Sequence, residues 1–417
     1  MHGAASKLAG VRKLELGLYA WGYGGSELDT PAADHKDEIA SNSSALAALM
    51  PGLREIKFNA FMTTPIVKAL QGRLAGFYAG QLQVLHSSNQ FGVPQDLVFA
   101  RLRDVKINGF LFESLDGQLP RLDPEVVESL ALQGFAANDM WSMFCADSDG
   151  RAITFPRLTN LDLKYIPRSV TGSGQLSVER TWALQFPALK HVRISCSDDE
   201  CPSMENAVFP NRLESLDISE CLCMLPAFAG RKVHVSRNMS LSVKYKHDVS
   251  NPRIDIANCM LESADNCNKR KLAIRGAGAI PAELITYTGL THLHFQGMTN
   301  ADDVMGLIHR LPHLVSLHVD RLILADAQTD FSIPECADHE PMAPLHTQIK
   351  SFVIWQIPQE ELSELAFSML KYLLLRIPTL KSATTITMPR EQIQDFIDGY
   401  VQWYPHLANV KFVGEVL

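Results

Sequence analysis

A short pattern of three apolar residues recurs along the chain. Within each copy the second apolar residue lies three places after the first, and the third lies two places after the second. The last part of this pattern alternates apolar and polar residues, which is the period of a short β-strand with one buried face. Copies with all three apolar positions begin at Val11, Leu53, Leu102, Val127, Leu158, Leu189, Leu213, Leu290, Leu314 and Ile349. Weaker copies are placed at Leu82/Val84, Ile254/Ile256/Cys259, Leu272/Ile274 and Leu407/Val410/Phe412. The pattern therefore predicts a long series of short strands.

Helical periodicity precedes several of these strands. One apolar face runs over 362–373, a second over 393–401 and a third over 304–311, before which Asn300 is placed to cap the helix. A proline ahead of many copies, as at Pro51, ends the preceding helix because the residue before proline is kept out of the α region. One unit is thus predicted as a helix, a Pro-x-Leu turn and a short strand, and stacked units should pair their strands in parallel.

This unit resembles the leucine-rich repeat family in its helix-bearing, ribonuclease-inhibitor-like form. The copy Leu213–Cys221, which reads Leu-Glu-Ser-Leu-Asp-Ile-Ser-Glu-Cys, resembles the cysteine-containing repeat that is common in F-box proteins. The resemblance extends roughly from Val11 to Phe412. It implies an α/β fold: a solenoid, or horseshoe, of about 13–15 irregular leucine-rich repeats with a parallel concave sheet and convex helices.

The whole chain, residues 1–417, is therefore expected to form a single leucine-rich-repeat solenoid. A repeat array escapes the usual limit on domain size because each unit packs only against its neighbours. The stretch from about 232 to 270 matches the repeat least well, and polar insertions interrupt the period at about 21–44, 168–180 and 324–348. Such insertions are predicted to form surface loops, which often contribute to binding.

Composition narrows the classes of partner. The formal net charge of −8 argues against nucleic acid or an anionic membrane as a partner, because both require a basic surface. The sequence has no run of 18 apolar residues and no apolar signal segment, so we expect a cytoplasmic or nuclear protein. The eight cysteines include no Cys-x-x-Cys pair. Reduced structural thiols are expected, with Cys221 and Cys259 buried under turns and Cys196 and Cys201 as the one candidate disulfide.

Residues between the apolar positions of each strand are expected to point to the concave face, which we predict to bind a partner protein. Charges of both signs alternate there, as they do on a polar protein-binding surface and equally on any solvated sheet face. The predicted partner-binding residues are Glu55, Lys57, Asp104, Lys106, Asp162, Lys164, His191, Arg193, His292, His294, His318, Asp320 and Trp355.

Histidines form the most specific local feature of that face. His294 and His318 occupy the same place in adjacent copies and should lie side by side on strands about 4.8 Å apart, near His292 and Asp320. Imidazoles placed in this way can bind a metal or form a pH-sensitive contact. A solvated surface is the third interpretation and the one we adopt, with no metal and no cofactor expected.

Motifs of common enzyme classes are missing from the sequence, which has no Gly-x-Ser-x-Gly, no His-Glu-x-x-His and no Walker-type loop. We therefore expect a non-enzymatic protein–protein interaction scaffold. The family resemblance implies two narrower roles. One is substrate recognition in an F-box-type ubiquitin ligase, with a Skp1-like partner if an F-box is supplied elsewhere. The other is a GTPase-activating role similar to that of Ran GTPase-activating proteins.

Overall fold

A computed structural model describes sixteen parts of the chain, and the structural statements below refer to them: residues 8–18, 36–60, 65–88, 98–108, 121–135, 144, 153–165, 183–196, 207–219, 233–245, 252–264, 267–324, 330–333, 342–356, 364–385 and 390–413. The chain forms two compact units. The first contains Met1–Leu213 and Glu220–Ala227, and the second contains Glu214–Ser219 and Phe228–Leu417.

The first unit is built on a parallel sheet. Its helices are α1 (Lys36–Leu49) and α2 (Pro65–Phe77). Its strands are β1 (Lys13–Leu18), β2 (Glu55–Ala60), β3 (Val84–Ser87), β4 (Val98–Phe99), β5 (Asp104–Asn108), β6 (Arg121–Leu122), β7 (Ser129–Phe135), β8 (Ile153–Thr154), β9 (Asn160–Tyr165), β10 (Leu184–Gln185) and β11 (His191–Cys196). Strands β1, β2, β3, β5, β7, β9 and β11 are neighbours in this order, and every pair is parallel. The short strands form two parallel pairs, β4 with β6 and β8 with β10.

The apolar positions of the repeated pattern form the core of this unit. Ile56 is fully buried and is paired in register with Leu85 of the next strand, which is also fully buried. The turn residues Phe155, Phe186 and Phe209 add a column of stacked rings, with centroids 5.2 and 5.4 Å apart. The period-two alternation therefore explains both the strand and the face that it buries.

The second unit repeats this arrangement and contains more helix. Its helices are α3 (Pro252–Ser263), α4 (Ala301–Arg310), α5 (Glu364–Arg376) and α6 (Arg390–Tyr400). Its strands are β12 (Arg212–Ser219, which enters the unit at Glu214), β13 (His234–Lys244), β14 (Lys269–Ala279), β15 (His292–Asn300), β16 (Ser316–Ile323), β17 (Ser351–Gln356), β18 (Ser382–Thr385) and β19 (Lys411–Val413). Strand β12 neighbours β13, and β13 to β19 pair in parallel in chain order. The predicted α/β class and parallel pairing are confirmed.

The three helices predicted from helical periodicity correspond to α4, α5 and α6. In α4, Val304, Leu307 and Ile308 are buried, as the apolar face requires. Asn300 lies at the N-cap with extended backbone, but its side chain makes no capping hydrogen bond. None of the helices in the described residues is long and apolar enough to cross a membrane.

Several predictions about the poorly matching segments are wrong. The weak copy at Ile254/Ile256/Cys259 belongs to α3, a helix, and Cys259 is exposed instead of buried under a turn. The predicted insertion at 21–44 includes the start of α1, so residues 36–44 are helical and not loop. The described residues of 324–348 lack helix and strand, as predicted. The insertion at 168–180, Cys221, Cys201 and the side chain of Cys196 lie outside the described residues.

Strand β3 has a different register from the one predicted. The buried residues are Leu82 and Leu85, whereas Val84 is only partly buried. Strand β18 is absent from the prediction, and β13 lies in the poorly matching stretch of about 232–270, where no copy of the pattern is assigned to it. In β18 the inward position is held by Ala383, and in β13 the first apolar position of the pattern is held by Asn238, paired with Lys269. A pattern written for large aliphatic residues does not detect β18, whereas Leu241 and Val243 of β13 fit its last two positions as well as Leu272 and Ile274 do.

Candidate functional site

Strands β15, β16 and β17 of the second unit each bury one side and leave the other accessible. Leu293, Leu317 and Phe352 lie in one register row and are at most 2% exposed. The alternate residues point to the opposite side, and none of them is fully buried. We call this side the polar face; its residues are His292, His294, Gln296, Ser316, His318, Asp320, Ser351, Val353 and Trp355.

The register of β15 and β16 places His294 directly opposite His318. Their rings stack with centroids 3.8 Å apart and planes 9° from parallel. The adjacency predicted from the repeat spacing is therefore confirmed. The stack is possible because parallel strands bring equivalent side chains to the strand spacing of about 4.8 Å.

Both imidazoles turn towards one carboxylate. Asp320, two residues after His318 on β16, places Oδ1 at 2.8 Å from Nε2 of His294 and at 3.5 Å from Nε2 of His318. The first distance is a hydrogen bond, which Nε2 of His294 donates to the carboxylate. The side chains of His294, His318 and Asp320 are 17%, 25% and 38% exposed. We call these three residues the His–His–Asp cluster.

The second imidazole of the cluster lacks a comparable bond. Among the described residues, Nε2 of His318 is buried and has no hydrogen-bond partner. Burial is the main cause that lowers the pKa of His318 to about 4, and the positive charge that His294 can carry contributes in the same direction, against the opposing effect of Asp320. The ring is therefore neutral at neutral pH.

His292, the other histidine of β15, does not join the cluster. Its Nδ1 lies 2.9 Å from Oγ1 of Thr291. Burial, followed by the charges of Lys269 and Lys271, lowers the pKa of His292 to about 4. The structure thus separates the four residues grouped by sequence into a cluster of three and a neighbour with its own partner.

Two further side chains border the cluster. The amide nitrogen Nε2 of Gln296 lies 3.4 Å from Nδ1 of His294. The indole ring of Trp355 stacks on His318 with centroids 5.8 Å apart and an angle of 13°, while its side of β17 leaves the residue 49% exposed. The sequence analysis included Trp355 as a face residue but did not place it against a histidine.

The other predicted face residues lie in the first unit, on β2, β5, β9 and β11, and none is buried. Register pairs Asp162 with Arg193, Asn160 with His191, Lys164 with Ser195, and both Lys57 and Lys106 with His86. Glu55 is opposite Val84, which is in turn opposite Asp104. These residues therefore form rows along the sheet, without the convergence of ligand atoms found in the His–His–Asp cluster.

His86 is a histidine on the accessible side of the first unit's sheet that the sequence analysis did not identify as a candidate site residue. Its Nε2 lies 3.0 Å from Oδ2 of Asp104 on the neighbouring strand. The predicted register treated Val84 as inward-facing, and the correct register, with Leu85 inward, would have placed His86 on the accessible side. The three-residue step from Leu82 to Leu85, as between the first two apolar positions of the other copies, was the signal that could have found it.

No protein-family model matches the chain, and no curated protein matches it. The function is therefore inferred from the residues and their geometry.

Proposed function

We propose that the protein is a non-enzymatic interaction scaffold that binds a protein partner on the polar face, with Trp355 as the central contact. The observation that supports this best is the position of Trp355, which is 49% exposed and yet stacked on His318. A tryptophan held in this way presents a large apolar surface without further loss of side-chain entropy on binding. Tryptophan is also among the residues that most often dominate the binding energy of interfaces.

The surroundings of Trp355 suit a protein partner. The polar face combines imidazoles, the carboxylate of Asp320 and the amide of Gln296, so it can exchange hydrogen bonds with backbone and side chains alike. Interfaces of this type have an aromatic centre and a polar rim.

The scaffold that we propose is a leucine-rich-repeat solenoid. Parallel strands in chain order, apolar pattern positions in the core and helices between several strands support this assignment within each unit. A solenoid would expose the accessible sides of its strands as one extended binding surface.

A crosslinking experiment tests the proposal. A photoreactive phenylalanine analogue at position 355 should form a defined adduct with a partner in cell extract, whereas the same analogue at the exposed helix position Glu391 should not. With the purified partner, Trp355→Ala should weaken binding by at least tenfold, because interface tryptophans commonly contribute about 2 kcal/mol or more. Glu391→Ala should leave the affinity unchanged. Equal binding by Trp355→Ala and the wild-type protein would remove the polar face as the binding surface.

The two narrower roles implied by the family resemblance are not favoured by any particular contact in the described residues. Substrate recognition in an F-box-type ligase predicts co-purification of a Skp1-like linker. A GTPase-activating role predicts stimulated GTP hydrolysis by a partner GTPase. A negative result in either assay would remove that role and leave the binding proposal intact.

A further inference from the structure

We infer that the His–His–Asp cluster is a binding site for a divalent transition-metal ion of the zinc class. His294, His318 and Asp320 each offer one ligand atom, and these atoms all lie within 4.8 Å of one another. Two imidazole nitrogens and one carboxylate oxygen are a donor set that zinc accepts in proteins. This differs from the expectation of the sequence analysis, in which no metal was predicted.

Distances within the cluster are close to those of a metal site. Tetrahedral zinc with bonds of about 2.0–2.2 Å holds its ligand atoms about 3.4 Å apart. The observed separations from Oδ1 of Asp320, 2.8 Å to His294 and 3.5 Å to His318, lie on either side of that value. These two separations would each change by about 0.6 Å or less, a shift that side-chain torsions can supply.

One adjustment is required of the two rings. Their planes are 9° apart, so each Nε2 lone pair lies in its own, nearly parallel plane, whereas a shared ion requires the lone pairs to converge. The torsion that tilts an imidazole is the outer side-chain torsion, which is broad and soft. Metal binding should thus tilt His318 relative to the indole of Trp355, which stacks on it.

The hydrogen bonding of the cluster also favours an ion. Nε2 of His318 is buried and has no hydrogen-bond partner among the described residues, and buried polar atoms of this kind call for an explanation. A metal ion supplies the missing partner, because an unprotonated imidazole nitrogen is a good ligand. For His294 the proton must move to Nδ1, and rotation of the Gln296 amide lets its oxygen accept that proton in a hydrogen bond.

The ligand side chains are partly open to solvent, although Nε2 of His318 is itself buried and must be uncovered by the tilt of its ring. The three ligand side chains keep between 17% and 38% of their surface exposed. Three protein ligands leave a fourth position for water or for a group from another molecule, which is the arrangement of open zinc sites. The inference does not depend on the proposed function, since metal binding can be measured on the protein alone.

Calorimetric titration of ZnCl2 into the metal-free full chain tests the inference. The wild-type protein should bind one equivalent of Zn²⁺. The variants His294→Gln, His318→Gln and Asp320→Asn should bind it at least tenfold more weakly. Even the loss of a residue that only orients a metal ligand lowers the affinity by about 10–100-fold, and these variants lose a ligand itself. The matched control is His292→Gln, on the same strand and the same face, which should keep the wild-type affinity. Equal Zn²⁺ binding by wild type and all three variants would overturn the inference, and so would an equal loss in His292→Gln.

A second measurement does not depend on how the ligand variants fold. Cu²⁺ quenches indoles that lie near it, and Trp355 is one of the five tryptophans of the chain. One equivalent of Cu²⁺ should quench the fluorescence of the wild-type protein more than that of Trp355→Phe, which keeps a ring against His318. Identical fractional quenching in the two proteins would place the ion elsewhere and overturn the inference.

Discussion

The indole ring of Trp355 lies almost parallel to the imidazole ring of His318, although the residue paired with His318 in the sheet register is Val353. The indole is therefore tilted along β17, towards the position of Val353, and so reaches the ring of His318. Stacking of this kind contributes about 0.5–1.5 kcal/mol beyond the burial of area. The pair links the proposed contact residue of the scaffold to the proposed metal site.

We expect His318 and Trp355 to be energetically coupled. A double-mutant cycle with His318→Ala and Trp355→Ala, followed by urea unfolding, should give a coupling free energy of about 0.5–1.5 kcal/mol. The control cycle replaces His318→Ala with Ser316→Ala, which lies on the same strand and face two residues away. Its coupling with Trp355→Ala should stay within about 0.5 kcal/mol of zero. The same coupling in both cycles would show that the stack has no specific energy.

Gly297 should not tolerate a side chain. A Cβ atom built at this residue lies 2.4 Å from the backbone oxygen of Gly276 on β14, and the pairing of β14 with β15 cannot relax as a flexible side chain would. We expect Gly297→Ala to lower the free energy of unfolding by about 1–3 kcal/mol, as overpacking does elsewhere. The residue also sits in the register shift between Phe295 and Met298, so the variant should disturb the neighbouring His294 as well.

Gly306 provides the control for that substitution, in the same unit. It lies within α4, and a Cβ atom there meets nothing within 4 Å. Because alanine has the higher helix propensity, Gly306→Ala should raise the free energy of unfolding by about 0.5–1 kcal/mol. Equal shifts of the urea midpoint in the two variants would contradict the clash.

The repeated pattern was sufficient to predict part of the candidate site. Equivalent positions in adjacent copies place His294 beside His318, and the period of two places Asp320 on the same side of the sheet. The shared carboxylate oxygen could not be predicted, because it depends on side-chain torsions and on the register shift after Phe295. The stacking of Trp355 on His318 could not be predicted either, because sequence periodicity fixes the face on which a residue lies but not the direction of its ring.

Predictions about the fold failed where the core uses atypical residues. Ala383 occupies an inward position of β18 where the pattern requires a large aliphatic residue, so the strand was overlooked. The apolar spacing of Ile254 and Ile256 also matched a weak strand copy, but the segment is long enough for three helical turns and follows Pro252, which suits a helix start. Single weak copies thus carry little information without the length and boundaries of the segment.

His346 is a buried histidine with a structural role, and it can be distinguished from the cluster by its bonds. Its Nε2 donates to the carbonyl oxygen of Leu311 at 2.8 Å, and its Nδ1 accepts from the amides of Gln348 at 3.0 Å and Ile349 at 3.2 Å. The ring thereby supplies an acceptor for two amides of a segment that has neither helix nor strand, and ties them to the carbonyl of Leu311, which also accepts from the amide of Leu314.

Removal of that ring should be costly. We expect His346→Ala to lower the free energy of unfolding by about 1–3 kcal/mol, because the amides of Gln348 and Ile349 lose their acceptor. The exposed His313→Ala, in the same unit, should change it by no more than about 0.5 kcal/mol. Urea unfolding of both variants checks this, and a His346→Ala protein as stable as His313→Ala would show that the three bonds are dispensable.

The pair of His86 and Asp104 in the first unit should make stability depend on pH on the acid side. The hydrogen bond from His86 lowers the pKa of Asp104 more than burial raises it, and the positive charges of His86 and Lys57 act in the same direction as the bond. The folded state therefore holds the carboxylate in its charged form to a lower pH than the unfolded chain does. Its contribution to stability is complete above the unfolded pKa of about 3.9 and is lost as the pH falls through the folded pKa.

His86→Ala should return the pKa of Asp104 towards its ordinary value, as followed by carboxyl NMR titration. The wild-type protein should also lose more stability than His86→Ala between about pH 5 and pH 2, by less than about 1 kcal/mol because Asp104 is 41% exposed and screened by solvent. His313→Ala, in the other unit, should behave as the wild-type protein does. An Asp104 titration that is identical in the wild type and in His86→Ala would assign the lowered pKa to Lys57 and Ser129 instead, the other two side chains that act on this carboxylate in the same direction.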